Sequence, residues 1–117
     1  MNGNNENKNP AVWEFEADHP DDAALLRDAL RAVTDPELGY NVIELGLIRN
    51  VQLKDEKLLL ITMILTTPFC PYAPQMIEEV RNIAERTLNL STSIDFRMDP
   101  WDESMMEDGF ELNWGMF

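Results

Sequence analysis

The sequence predicts an α+β two-layer sandwich of order α-β-β-α-β, in which both helices cover one face of a small three-stranded mixed sheet. Two β-like runs, about 47–54 and 58–66, are separated only by Asp55, Glu56 and Lys57, so they should pair as an antiparallel hairpin. The second run leads through a helical stretch into a third β-like run, about 92–98. A strand–helix–strand unit of this kind is a right-handed crossover with its strands parallel. Apolar stripes at three- and four-residue spacing supply two helices that must bury against the sheet.

The first helix is expected from about Asp22 to Thr34, with Leu26, Ala29, Leu30 and Val33 on one face and Asp21 or Asp22 as N-cap. It should stop before Pro36, because the residue preceding a proline is pushed out of the α region. In the hairpin, Val51 and Leu53 alternate with polar neighbours, whereas 58–66 is apolar on both faces and so belongs at the centre of the sheet. The second helix, from Pro71 or Pro74 to Leu88, carries the stripe Met76, Ile77, Val80, Ile83, Ala84 and Leu88. On the third strand Ile94, Phe96 and Met98 should face inward.

Three parts follow: an acidic, partly disordered N-terminal arm (1–21), the α+β domain (22–100), and an aromatic, Met-rich acidic segment (101–117) that packs on the domain or a partner. Within the arm, residues 1–10 are too polar to repay the entropy of ordering. Val12, Trp13 and Phe15 alternate with acids as an extended stretch on the domain surface, and His19, beside Pro20, reads as an exposed loop residue. The methionines near the C-terminus suit packing better than thioether ligation of a soft metal.

The formal charge of −13 is concentrated at the ends: residues 1–22 hold six acids against Lys8, and residues 98–117 hold six with no Lys or Arg. That distribution disfavours nucleic acid and anionic membranes as partners, since both reward clustered Lys and Arg. It suits solvation or an electrostatic dock for a basic partner. One cysteine forms no internal disulfide, no leader-like segment opens the chain, and no apolar run approaches membrane-spanning length. The expectation is a soluble cytoplasmic protein.

The chemistry centres on residues 62–74, TMILTTPFCPYAP, where a strand ends in Thr66 and Thr67 and the only cysteine, Cys70, precedes a helix start. A helix N-terminus lowers a thiol pKa and favours a nucleophile or metal ligand. A free cysteine is equally a small buried hydrophobe. A second loop, TDPELGYNVIELGLI (34–48), gathers Asp35, Glu37 and Glu44, which suit either an Asx turn with solvated neighbours or hydrogen bonding to a site or hard cation. With no base near Cys70 and no phosphate loop, CxxC or HExxH motif, enzymatic catalysis is not expected. A lone thiolate can instead hold a thiophilic metal or cluster whose remaining ligands come from another chain.

The DPELGYNVIELGLI and MILTTPFCPYAP motifs, followed after the third strand by DPW, resemble the metal–sulfur cluster assembly domain of SufT-type and PaaD-like proteins over about residues 23–106. The resemblance implies the same α-β-β-α-β fold and an accessory, non-enzymatic role in iron–sulfur protein maturation. It implies a pocket made of Asp35, Glu37, Thr66, Thr67 and Cys70: Cys70 as a transient ligand to iron or to a cluster shared between chains, Asp35 and Glu37 shaping the pocket or holding iron, the two threonines hydrogen-bonding sulfur or orienting the loop. Partners would be assembly proteins, client apoproteins or a second copy in a homodimer. An adaptor with a structural Cys70 is the alternative. PaaD-like relatives continue into a cysteine-bearing extension not seen in this sequence, which favours the SufT-like reading.

Overall fold

The structure, a computed structural model, describes residues 11–67 and 71–106. A short helix α1 (Glu14–Asp18) leads directly into α2 (Pro20–Leu30). An irregular loop then enters β1 (Ile48–Lys54) and β2 (Leu58–Met63), followed by the long helix α3 (Ala73–Leu88) and β3 (Ser91–Phe96). The sheet order is β1-β2-β3, with β1 antiparallel and β3 parallel to the central β2. This is the predicted mixed sheet, and the α+β sandwich follows from it.

The register sets which face is buried. Val51 pairs with Ile61 and Leu53 with Leu59, while Ile61 pairs with Ile94 and Met63 with Phe96, so the apolar side chains line up on the helix-covered face. Leu59, Ile61 and Met63 are fully buried there against Leu26, Leu30, Val80 and Ala84. A bulge between Ile48 and Asn50 lets Ile48 share that face with Met63. Met98, expected inward, is 63% exposed, because β3 ends at Phe96 and strand alternation ends with it.

Helix α2 begins earlier than its expected Asp22 start. Pro20 occupies the first turn, where a missing N–H costs nothing, and Asp21 and Asp22 sit in that turn beside the unpaired amides. It also ends earlier: Val33 N donates to Leu30 O at 3.0 Å and Ala32 N to Ala29 O at 3.2 Å, so tighter turns carry the chain past Leu30.

Residues 11–20 do not lie extended on the surface. Trp13 and Phe15 are buried in the main core, His19 links two helices and stacks on Phe15, and Glu14 accepts hydrogen bonds from Asn50 and Gln52 of the edge strand. Alternation of apolar residues with acids suggests a strand; a single helical turn buries Trp13 and Phe15 just as well. Arg27 closes this corner, its guanidinium lying 4.0 Å from the Trp13 ring and 2.8 Å from Glu16. Burial raises the Glu16 pKa, but hydrogen bonds from Arg27 and from Trp13 N–H outweigh it and hold the carboxyl below its ordinary 4.5.

Because the Glu16 pKa is depressed on folding, its stabilisation is complete above about pH 4.5 and is lost as the pH falls through the lowered folded value. Thermal melts from about pH 6 to about pH 3 should therefore fall less steeply for Glu16→Gln than for wild type, and parallel curves would refute the assignment. In the three-residue β1–β2 connection, Asp55 and Glu56 both have left-handed φ, 52° and 58°, as the central residues of the turn that Lys57 N closes by donating to Lys54 O at 3.0 Å. Glutamate is poorly suited to that region, so Glu56→Gly should stabilise by about 1 kcal/mol in urea unfolding.

Candidate functional site

The loop between α2 and β1 is closed at its neck. Val42 N donates to Val33 O and Asp35 N to Tyr40 O, both at 2.9 Å, and Gly39 N donates to Asp35 O at 2.8 Å with Gly39 at φ 79°. Inside this neck Asp35 is 1% exposed. Its Oδ1 accepts from Glu37 N at 2.8 Å and Leu38 N at 3.3 Å, an Asx-type turn. Its Oδ2 accepts from Thr66 Oγ at 3.0 Å, across 31 residues of sequence.

Thr66 arrives there because the end of β2 is held from both sides: Ile64 N donates to Leu47 O at 2.9 Å and Arg97 N to Met63 O at 2.8 Å. Thr66 and Thr67 are half-buried. Thus the structure joins the DPE motif to the first threonine of TTPFCP through a direct side-chain bond.

The other carboxylates diverge. Glu37 is exposed, and what it gives Asp35 is its backbone N–H. Glu44 pairs within the loop, accepting from Asn41 N at 3.0 Å while Asn41 Oδ1 accepts from Glu44 N at 2.8 Å. This reciprocal pair is a capping box for the turn 41–46. Cys70 lies outside the described residues. Among the described residues, no three His, Cys, Asp or Glu side chains form a metal-binding group, and no helix is long and apolar enough to cross a membrane.

Beside Thr66 a cleft of about 220 Å³ opens between the end of β2 and the chain leaving β3, lined by Leu65, Phe96, Met98 and Trp101 among others. Its outer wall is fixed by the C-terminal segment. Trp101 Nε1 donates to Leu45 O at 2.7 Å, and Met106 is buried against the core. Gly46, at φ 73°, lies under Met105, where an added Cβ would meet the Met105 carbonyl oxygen at 1.9 Å. Arg49 donates to Gly46 O at 3.0 Å, and burial lowers its pKa while the nearby Asp102 opposes that. Asp102 in turn is held below its ordinary value by hydrogen bonds from the Ser104 hydroxyl and backbone. Sequence reasoning matched Trp101 to the DPW motif and read Gly46 as part of a tightly turned loop, but gave Arg49 no role, its only signal being a basic residue at a strand start. The rest of the tail, 107–117, lies outside the described residues.

A family model described as iron–sulfur cluster assembly protein matches residues 24–96, from α2 through the last residue of β3. The chain belongs to this family. Among relatives of this assembly family, a protein named Fe-S protein maturation auxiliary factor from Porphyromonas gingivalis is 40% identical over 88 residues, which cover 74% of this chain and 84% of that one. The Fe-S protein maturation auxiliary factor SufT of Staphylococcus aureus is 37% identical over 76 residues, covering 63% of this chain and 86% of its own. The assembly fold matches a solved domain of unknown function from Bacillus anthracis with a TM-score of 0.64 and 27% identity, over 79% of this chain and 90% of that one. The SufT-type resemblance read from the two motifs is thereby established, together with the fold it implied.

Gly46→Ala tests how the C-terminal segment is seated. Strain at positive φ and displacement of Met105 should together cost roughly 2–3 kcal/mol in chemical unfolding. Gly39→Ala has no neighbour within 4 Å and should lose less, by the strain alone.

Proposed function

We propose that this protein is an accessory factor in iron–sulfur protein maturation in the cytoplasm, receiving iron or a cluster as cargo on the Cys70 thiolate and passing it to an assembly protein or client apoprotein. The observation that carries this reading is the buried Asp35–Thr66 bond. It joins the two family motifs four residues before Cys70 in sequence, and relatives that share the fold's length are named as maturation auxiliary factors.

The residues divide the work by their setting. Asp35, buried and triply hydrogen-bonded, shapes the loop. Glu37 is exposed on the loop surface, and on this reading it is the carboxylate that meets iron arriving from solvent. Thr66 and Thr67 orient the chain that leads to Cys70. A cluster generally takes four protein ligands, and this chain has one cysteine, so the remaining ligands come from a client, an assembly protein or a second copy. Shared ligation suits transfer, because the cargo leaves when a partner offers a fuller ligand set.

Anaerobic reconstitution with ferrous iron and sulfide provides the test. Wild type should retain iron and sulfide and activate an apo-client, and Cys70→Ala should weaken that retention by roughly tenfold or more. Equal uptake and equal client activation by the two proteins would instead favour an adaptor in which Cys70 is structural. Native alkylation separates the readings independently, since a low-pKa accessible thiolate reacts quickly near neutral pH.

A further inference from the structure

The Asp35–Thr66 contact fixes more than the position of a loop. All three hydrogen bonds at Asp35 are ones it accepts, and its Oδ1 is already occupied by Glu37 N and Leu38 N. At Oδ2 the Thr66 hydroxyl is the donor, at 3.0 Å, so that bond carries its proton. A threonine hydroxyl has one proton and two lone pairs. With its proton directed at Asp35, Thr66 has only lone pairs left for any other group, and it is one of the residues lining the 220 Å³ cleft.

We infer that Asp35 is a positioning residue that sets the hydrogen-bonding polarity of Thr66, making it an acceptor toward whatever binds beside it. The group that Thr66 recognises is therefore one carrying an N–H, O–H or S–H hydrogen, such as a partner's peptide amide or a protonated thiol. A bare sulfide or thiolate does not match it. The inference rests on the proposed cargo function for its relevance, and it removes Thr66 from the pair expected to hydrogen-bond sulfur.

Asp35→Asn is an almost isosteric polarity switch. The substituted amide's Oδ1 would keep both backbone N–H groups of the turn, while its Nδ2–H would point at Thr66 and release the hydroxyl proton. The fold should survive, since asparagine makes the same Asx turn.

NMR of the full metal-free chain should find a Thr66 hydroxyl proton that exchanges with water about tenfold or more slowly in wild type than in Asp35→Asn, the factor expected for a hydrogen bond to a charged group. Thr66→Ser should keep the slow proton. Equal exchange rates in wild type and Asp35→Asn overturn the inference.

In protein loaded with a reconstituted cluster, wild type and Thr66→Val should share one reduction potential. Asp35→Asn removes a carboxylate and also releases the Thr66 proton, so Thr66→Val should move the potential when added to Asp35→Asn although it does not move it in the wild-type background. A shift in Thr66→Val alone would show that Thr66 already donates to sulfur and would overturn the inference. Failure of wild type to load any cluster would refute the cargo function, and the hydroxyl exchange rates would then decide the polarity of Thr66 alone.

Discussion

A buried carboxylate is the constraint on which the site depends. A polar group out of water is stable only when hydrogen bonds replace its hydration. Asp35 gains two amides from its own turn and one hydroxyl from the end of the central strand. The local amides can be supplied by any Asx turn, but the third donor must come from 31 residues away. Thr66 is therefore tied to the loop by the cost of leaving Asp35 incompletely bonded. The family motifs are two halves of one hydrogen-bonded unit, which explains why neither is informative alone.

A second constraint acts on the loop's backbone. Residues 42–48, Glu44 apart, are buried but mostly irregular, so their carbonyls cannot all find partners in a ladder, and an unpaired buried carbonyl is costly. Two indoles supply the missing donors: Trp101 Nε1 bonds Leu45 O and Trp13 Nε1 bonds Ile48 O at 3.0 Å. One tryptophan precedes the first long helix and the other follows the last strand. The two ends of the described chain thus converge on the loop that carries Asp35, and Gly46 is bare because the C-terminal segment passes directly over it.

This division explains what could be read from the sequence. The hairpin, the crossover and the central position of β2 were legible because they follow from periodicity, which is local. Asp35 and Thr66 were recognisable as members of one pocket, and the structure places them in direct contact. The roles of Trp13 and Phe15 were not legible, since acids between apolar residues fit a strand and a short helical turn alike, and only the unfilled acceptor at Ile48 decides between them. The sequence of this loop allows either an Asx turn at Asp35 with Glu37 and Glu44 facing water or three carboxylates turned toward one site. Their separation arises from capping geometry: Glu44 lies three residues after Asn41 and pairs back to it, whereas Glu37 lies at the exposed tip of the turn that Asp35 caps.

The same geometry accounts for where a site can form on so small a domain. The helix-covered face of the sheet is filled by apolar side chains and leaves no room for a ligand. At the end of β2, however, three kinds of chain meet: a loop held by a buried carboxylate, a strand end held by bonds on both sides, and a C-terminal segment held by an indole. Each is fixed by bonds within the protein, and these same bonds shape the cleft between Thr66 and Trp101. Under the proposed carrier function, a cleft held in this way orders no part of the described chain when it is filled, and release does not require unfolding it.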